Sequence, residues 1–394
     1  MGLQEFNQAK RSLGTIEIME KEKFSLKDQL FNEGKITKIA NDIQGVYFDF
    51  KREQFIRDVV QKFPELELKQ RINHIALCLK NHLPESYPDA LEIILKSLPE
   101  PCNPNLNDND FGDFIYAAHG DFVAQFGCSE EHLALSLNAL EQLTMRFSVE
   151  YAIRNFINAF PEKTLKKIEH WSKHPHYHVR RLASEGTRPK LPWGMKIGLD
   201  VKQALPLLDI LHADSTRFVT RSVANHLNDI AKTHPELVLE KLNQWKKQKL
   251  QNPRELDFII RHALRTLIKK GDSAALKLIG ISAKPKIEIQ QISVSESVQM
   301  NTHLEKSIAL IAKEDCTLLI DYVIHFQNSK GEMNSVKVFK WKLISANKNE
   351  QIQLSKRHEM KQFMTTRTLY PGKHQWSLQV NGEIVHQQEF ELRL

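Results

Sequence analysis

Cysteine is scarce in this sequence, and its few copies fit no ligand or disulfide pattern. The 394 residues include only Cys78, Cys102, Cys128 and Cys316. Their spacings match neither a zinc motif nor a redox motif, and they lack the regular spacing of a disulfide framework. We therefore expect a protein of the reducing cytoplasm that uses no metal ion and no disulfide.

Glycine and long apolar segments are scarce as well. The chain has 15 glycines and no glycine-rich phosphate loop, so we expect no nucleotide cofactor. No apolar run approaches the length of a membrane span, and Met1–Lys10 lacks the apolar core of a secretion signal. We therefore expect no membrane partner.

Positive charge is concentrated in one part of the chain. Residues 161–270 contain 22 Lys and Arg against 11 Asp and Glu, whereas the rest of the chain has 33 basic and 37 acidic residues. Such a block is typical of a surface that binds a polyanion. A solvated basic helical surface without a partner has the same composition, so charge alone leaves both interpretations open.

Helical periodicity dominates the first 280 residues. Apolar residues recur at three- and four-residue spacings, as in Ile72, Ile75, Ala76 and Leu79. A polar stretch from Asn103 to Asp110 interrupts the pattern and predicts a loop.

A repeat of 40 residues appears in the second half of this helical region. It is carried by three matching sets, which are Val179, Arg181 and Glu185, then Val219, Arg221 and Asn225, then Ile259, Arg261 and Arg265. Helical repeats of this length are HEAT-like, and they stack because one helix pair cannot bury its apolar face alone. The sequence therefore predicts a mainly α fold, with a HEAT-like α-solenoid over residues 1–281 whose inner helices line a concave surface.

The spacing of apolar residues changes from a helical to a strand-like pattern after Gly280. Lys284-Pro285-Lys286 predicts a junction between two domains, and Asn381-Gly382 predicts a hairpin with a two-residue turn. Apolar residues fall at every second position in four segments, 320–326, 339–343, 376–380 and 390–394. About seven strands in residues 287–394 predict a small all-β sandwich of immunoglobulin type.

Three helical segments in or beside the basic block carry a carboxylate together with arginine. The pairs are Glu150 with Arg154, Arg181 with Glu185, and Arg221 with Asp229, at spacings of four or eight residues that share a helix face. Each pair alone is explained by an intrahelical ion pair that stabilises the helix by about 0.2–0.5 kcal/mol. Three such pairs in successive repeats favour a functional site. An acid in a groove that binds a polyanion repels phosphate, so its presence there indicates a role other than phosphate binding.

The same segments resemble a known family. Glu185-Gly186-Thr187-Arg188-Pro189-Lys190-Leu191-Pro192-Trp193-Gly194 resembles the signature of the AlkC branch of the AlkC/AlkD superfamily of HEAT-like DNA glycosylases. The stretches 113–120 and 221–229 also fit that family, and the resemblance covers nearly the whole chain, including the C-terminal immunoglobulin-like domain of some members. Asn155 and Lys190 depart from the family pattern, in which Pro and Arg are expected, but neither departure removes a carboxylate.

The resemblance implies an enzyme of base excision repair. It would hydrolyse the N-glycosidic bond of cationic alkylated bases, chiefly 3-methyladenine and 3-methylcytosine, in double-stranded DNA without flipping the base into a deep pocket. A cationic base departs without a general acid, and an oxocarbenium-like sugar builds up. Glu150, Glu185 and Asp229 are the expected catalytic carboxylates, which stabilise that charge and activate water collectively.

Arginines and one tryptophan of the same segments are the candidate DNA ligands. A guanidinium matches phosphate oxygens bidentately, which gives Arg154, Arg181, Arg188, Arg221 and Arg261 as phosphate ligands, some of which instead support the carboxylates. Trp193 either contacts the deoxyribose or lesion, or packs a loop between repeats.

Other signals predict no further chemistry. His174, His176 and His178 alternate without a Cys or carboxylate set to complete a metal site. No lysine poised for Schiff-base chemistry is identifiable, so we expect an abasic product without strand cleavage, made by a monomer that needs no cofactor.

Two alternative functions remain open from the sequence. A non-catalytic HEAT-repeat protein would bind bent or branched DNA through the basic face and release no base. A protein-interaction solenoid would have negligible affinity for DNA and would leave the basic block unexplained.

Overall fold

The computed structural model describes residues 25–364 and 367–394. The segment Met1–Lys10, considered above for a secretion signal, lies outside the described residues. No helix in the described part of the chain is long and apolar enough to span a membrane.

Helices dominate the described chain from residue 26 to residue 278. They are α1 Leu26–Leu30, α2 Glu33–Gln44, α3 Arg52–Val60, α4 Leu68–His82, α5 Tyr87–Lys96, α6 Ala117–Phe126, α7 Leu133–Thr144, α8 Ile153–Ala159, α9 Pro161–Trp171, α10 Tyr177–Glu185, α11 Val201–Leu211, α12 Arg217–Ile230, α13 Pro235–Gln248, α14 Pro253–Ala263, α15 Arg265–Lys269 and α16 Ser273–Leu278. Short 3₁₀ turns occupy Phe63–Glu65 and Phe114–Tyr116.

The helices of the repeat stack as the period of forty residues predicts. Helix α12 packs against α10 on one side and against α14 on the other. Val179, Val219 and Ile259, which share one phase of the repeat, have no exposed surface and lie in one continuous core. The predicted α-solenoid is confirmed, and the equivalent positions of α10, α12 and α14 are neighbours in space.

The loop predicted between Asn103 and Asp110 is present and reaches across to the repeat. The Asn107 carbonyl accepts a hydrogen bond from the backbone N–H of Phe218 at 3.1 Å, and the Asn107 side chain accepts from the N–H of Arg217. The loop therefore covers the start of α12.

Strands make up the chain after residue 286. They are β1 Ile287–Val294, β2 Ser297–Gln299, β3 His303–Ala312, β4 Cys316–Phe326, β5 Ser335–Ala346, β6 Gln351–Glu359, β7 Phe363–Met364, β8 Arg367–Thr368, β9 Gly372–Val380 and β10 Glu383–Arg393. One sheet has the order β1-β3-β6, a second has β2-β10-β9-β4-β5, and β7 pairs with β8. The predicted all-β domain is confirmed, with more strands than the seven expected.

Strand positions decide which alternating residues are buried. In the central strand β9, Trp376 and Leu378 are fully buried, and β9 joins β10 through the predicted Asn381-Gly382 turn. Strand β5 lies at the sheet edge, so Leu343 is 39% exposed, and Leu394 after β10 is 80% exposed. Alternation therefore predicted the strands correctly, and the apolar residues at the sheet edge and after the last strand remain partly exposed.

The two parts of the chain meet at a close backbone contact. Gly271 and Gly382 both have positive φ angles, 75° and 82°, and a Cβ added to Gly271 would lie 2.5 Å from the Gly382 carbonyl oxygen. The Asn381 side chain donates to the Ser282 carbonyl at 2.7 Å beside this contact. Leu276, Ile281 and Leu319 form a small apolar cluster across the same junction.

We predict that Gly271→Ala destabilises the protein more than Gly280→Ala. Both glycines have positive φ, which costs a Cβ-bearing residue about 1–2 kcal/mol. Only at Gly271 does the new Cβ meet backbone, which adds about 1–3 kcal/mol of overpacking. Denaturant unfolding of both variants measures the difference, and equal destabilisation would show that the close approach to Gly382 contributes nothing.

Candidate active site

Arg188 joins two buried carboxylates that come from neighbouring repeats. Glu185 is the last residue of α10, and its Oε1 accepts from Arg188 Nη1 at 2.5 Å. Asp229, near the end of α12, accepts from Arg188 Nε at 2.9 Å and from Nη2 at 2.8 Å through its Oδ2. One guanidinium therefore binds both acids and fixes their separation.

The remaining oxygens of this pair also have partners. Ser222 Oγ donates to Glu185 Oε2 at 2.6 Å, and Lys232 Nζ donates to Asp229 Oδ1 at 3.0 Å. All four carboxylate oxygens are therefore held by donors. Sequence reasoning missed Ser222 and Lys232, although Ser222 follows the repeated arginine Arg221 directly.

Glu150 joins the same network through Arg181. Arg181 Nη1 donates to Glu150 Oε2 at 3.0 Å, and its Nη2 lies 3.8 Å from Glu185 Oε2. Its guanidinium also stacks 4.6 Å from the centre of the Phe218 ring. Ser148 Oγ donates to Glu150 Oε2 at 2.8 Å. The three predicted carboxylates thus lie in one chain of alternating charge, in which three acids are balanced by Arg181, Arg188 and Lys232.

Two of the three predicted carboxylate–arginine pairs are not contacts in the structure. Glu150 bonds Arg181 instead of Arg154, and Asp229 bonds Arg188 instead of Arg221. The third pair, Arg181 with Glu185, is present at 3.8 Å. Glu150 precedes helix α8, so the helical spacing that suggested its pair does not apply there.

The network keeps Glu185 ionised. Burial raises the pKa of Glu185, but the charges of Arg181 and Arg188 and the Ser222 hydrogen bond outweigh it and hold the pKa below its usual value of 4.5. A buried carboxylate without such partners would instead become neutral. Glu185 therefore presents a fixed negative charge in a site that water scarcely reaches.

Arg154 supports the segment that follows α10. It has no exposed surface, and its guanidinium donates to the carbonyls of Gly186 at 3.0 Å, Arg188 at 2.8 Å and Met195 at 2.6 Å. Gly186 begins this segment, and a Cβ there would lie 2.7 Å from Ile153 Cγ2. The guanidinium thus has no surface to offer a phosphate, in contrast with its predicted role, and it positions Arg188.

Trp193 lies at the edge of the site on the same segment. Its side chain is 62% exposed, its φ is +63°, and Lys69 Nζ donates to its carbonyl at 2.6 Å. It borders a cavity of about 240 Å³ that Tyr151 and Gly120 also line. Trp193 is therefore held by its backbone while its indole remains accessible.

The other two predicted arginines, Arg221 on α12 and Arg261 on α14, bind partners outside the carboxylate network. Arg221 is paired with Asp108 of the polar loop, and Arg261 donates to Asp257 at 2.7 Å. Both guanidinium groups are partly exposed. They are separate from the carboxylate network and remain accessible to a ligand.

One cluster suited to a metal ion occurs in the described part of the chain, and it excludes the three carboxylates. It consists of Cys102, Asp110 and His178. Sequence reasoning set aside His178 because no Cys or carboxylate accompanies it nearby in the chain, whereas the structure brings both to it.

Comparison with known proteins relates both parts of the chain to one family. Residues 106–267 match the family model described as DNA alkylation repair enzyme, and residues 282–394 match the C-terminal immunoglobulin-like domain of YhaZ. The YhaZ protein of Bacillus subtilis is 34% identical over 369 residues, which are 92% of this chain and 98% of that protein.

A solved structure agrees over almost the full length. The Pseudomonas fluorescens alkylpurine DNA glycosylase AlkC, bound to DNA containing an abasic site analogue, is 33% identical and superposes with a TM-score of 0.84. The match covers 94% of this chain and 100% of that one. The chain therefore belongs to the AlkC-type family of DNA alkylation repair enzymes and carries that family's C-terminal immunoglobulin-like domain.

Proposed function

We propose that this chain is a monofunctional glycosylase that hydrolyses the N-glycosidic bond of cationic alkylated bases, 3-methyladenine and 3-methylcytosine, in double-stranded DNA. The observation that carries the proposal is the pair of buried carboxylates, Glu185 and Asp229, bridged by Arg188. A protein that only bound the DNA backbone would have no use for two buried acids within a basic block and a third acid beside it. The abasic-site DNA bound by the related Pseudomonas fluorescens enzyme supports the same chemistry.

The proposed reaction needs charge stabilisation more than acid catalysis. A base alkylated on a ring nitrogen already carries positive charge and leaves without being protonated. The sugar left behind develops oxocarbenium character, and fixed negative charges beside it lower the barrier. Glu185 suits this role because its pKa is held below its usual value, burial notwithstanding, by Arg181 and Arg188.

Glu150 is the proposed carboxylate for orienting the attacking water. Its side chain is 15% exposed, against 6% for Glu185 and 3% for Asp229. Ser148 and Arg181 both donate to Oε2, and no donor of the described residues reaches Oε1. A partly exposed oxygen without a protein partner is the one that a water molecule can approach, so Glu150 is the best placed of the three acids.

Accessible groups around the carboxylates supply the proposed DNA contacts. The exposed indole of Trp193 offers a flat apolar surface to the deoxyribose, and it attracts a cationic base through its face. Arg221 and Arg261 are partly exposed and, by releasing Asp108 and Asp257, can bind phosphates. Arg181 and Arg188 are committed to the carboxylates and act through them.

We predict that Glu185→Gln lowers the single-turnover rate of 3-methyladenine release from methylated DNA by about 10²–10³-fold, the usual cost of one preorganised electrostatic group. Glutamine keeps the shape of the side chain but removes the charge that opposes the oxocarbenium ion. DNA affinity, measured by fluorescence anisotropy, should fall less than the rate.

Glu141→Gln is the matched control for this variant. Glu141 is also an ion-paired carboxylate, bonded to Lys167 and to Trp171 Nε1 at 2.6 Å, but it lies outside the network. It should release base as the wild type does. If the wild type binds DNA yet releases neither 3-methyladenine nor 3-methylcytosine, the protein is a non-catalytic DNA-binding scaffold.

We predict that Arg221→Ala and Arg261→Ala each weaken DNA binding independently of sequence. The slope of log affinity against log salt should flatten by about 1 for each phosphate ligand that is removed. Affinity titrations between low and moderate salt measure this slope for each variant.

Arg154→Met is the control for the Arg221 and Arg261 variants, because the Arg154 guanidinium is buried. It should leave the slope unchanged in the folded protein but lower the free energy of unfolding, by about 1–3 kcal/mol for each buried carbonyl left without a donor. A flattened slope in this variant, with unchanged slopes for Arg221 and Arg261, would contradict the assignment of the phosphate ligands.

A further inference from the structure

The two ends of the polar loop meet the first turn of α10. Cys102 directly precedes the loop, Asp110 is its last residue, and His178 is the second residue of the helix. One ligand atom from each of these side chains lies within 4.8 Å of the other two. A thiol, a carboxylate and an imidazole from two separate parts of the chain therefore converge at the neck of the loop.

The three side chains do not satisfy one another's hydrogen bonds, because a ring nitrogen of His178 has no partner among the described residues. The residue is only 3% exposed, and its Nε2 is buried with no hydrogen-bond partner among the described residues. A buried polar atom without a partner destabilises the folded protein by about 1–3 kcal/mol, and a bond to a metal ion would remove this penalty. Burial also lowers the pKa of His178 to about 4, which keeps the ring neutral, as metal binding requires.

The neck is held in place by the surrounding backbone. The N–H of Cys102 donates to the Met145 carbonyl at 2.8 Å, and the Cys102 carbonyl lies 2.9 Å from Nε2 of His176. Just beyond Asp110, Gly112 forms an isolated β-bridge with Phe147. The cluster is therefore positioned by contacts other than those between its own three side chains.

We propose that Cys102, Asp110 and His178 bind a Zn²⁺ ion. Zinc accepts thiolate, imidazole and carboxylate ligands together, and three protein ligands leave one of its four tetrahedral positions for water. With metal–ligand bonds of about 2.0–2.3 Å, the ligand atoms stand roughly 3.3–3.8 Å apart, so the three side chains need to close in by only about 1 Å.

The charges of the site also suit a divalent cation. The thiolate and the carboxylate together neutralise the two positive charges of the ion. Arg146 lies close enough to influence the pKa of Cys102, and Arg181 that of His178. Both positive charges repel a metal ion whose own charge is not neutralised by its ligands. A site with two anionic ligands is thus favoured over one made of histidines alone.

None of the three carboxylates of the candidate active site binds the proposed ion, and its place at the neck of the loop lets it hold the loop in position. The loop that it closes carries Asn107, whose backbone and side chain bond the start of α12, and Asp108, which is paired with Arg221. Zinc at the neck ties this loop to α10. It thereby fixes the position from which Asp108 holds one of the accessible arginines.

Binding should release a proton. Cysteine binds zinc as the thiolate, so the Cys102 thiol must lose its proton when the ion binds. The affinity for zinc should therefore increase as the pH rises from 6 to 8. Among the other charged or titratable neighbours, Arg146 favours the thiolate, whereas Arg181 and His176 favour the neutral imidazole.

The experiment is a zinc titration of the full chain after removal of metal with a chelator, in competition with a chromogenic chelator. The wild type should bind one Zn²⁺, and Co²⁺ in its place should give a thiolate charge-transfer band with the visible spectrum of four-coordinate cobalt. Cys102→Ser and Asp110→Asn should each weaken zinc binding by about 100-fold or more, exceeding the roughly 10–100-fold that loss of an outer partner costs.

Cys128→Ser is the matched control, because Cys128 is partly buried like Cys102 but belongs to no such cluster. It should bind zinc as the wild type does. If Cys102→Ser does not fold, Asp110→Asn decides by itself, since Asp110 lies at a partly exposed loop end. The proposal is overturned if the wild type binds no stoichiometric zinc, or if Asp110→Asn and Cys128→Ser bind it equally.

Discussion

Arg188 binds Glu185 and Asp229 at once, and the site is organised around this single guanidinium. Two carboxylates in a scarcely hydrated groove repel each other, and a buried pair without a cation is costly. The guanidinium between Glu185 and Asp229 offsets this repulsion and fixes their separation. Ser222 and Lys232 complete their hydrogen bonds, so in the proposed reaction neither acid needs to reorganise when positive charge develops on the sugar.

The stacking of the repeats places this bridge. Because α10 and α12 occupy equivalent positions forty residues apart, the end of α10 lies beside α12, and Arg188 in the segment after α10 reaches Asp229 of α12. The buried Arg154 holds that segment by three backbone carbonyls, which sets both Arg188 and the exposed Trp193. Substitution of Arg154 would therefore act on the chemistry indirectly, by displacing the segment.

Much of the fold was predictable because its signals are local. The helical period, the forty-residue repeat and the Asn381-Gly382 turn each follow from residues close together in the chain. The partners of the charged groups were less predictable, because Glu150 with Arg181 and Asp229 with Arg188 each join a helix to a connecting segment that is distant from it in the sequence. The meeting of Cys102 with His178 depends likewise on where the polar loop closes, which no spacing in the sequence reveals.

In the proposed reaction, the bridged carboxylates recognise the positive charge that develops on the sugar of the lesion. The most direct test compares the affinity of the protein for two DNA duplexes, one with a cationic pyrrolidine in place of the sugar and one with a neutral tetrahydrofuran. Analogues of a transition state bind about 10²-fold or more tightly, so the cationic duplex should be strongly preferred, and Asp229→Asn should abolish the preference. Equal affinity of the wild type for both duplexes would contradict the account.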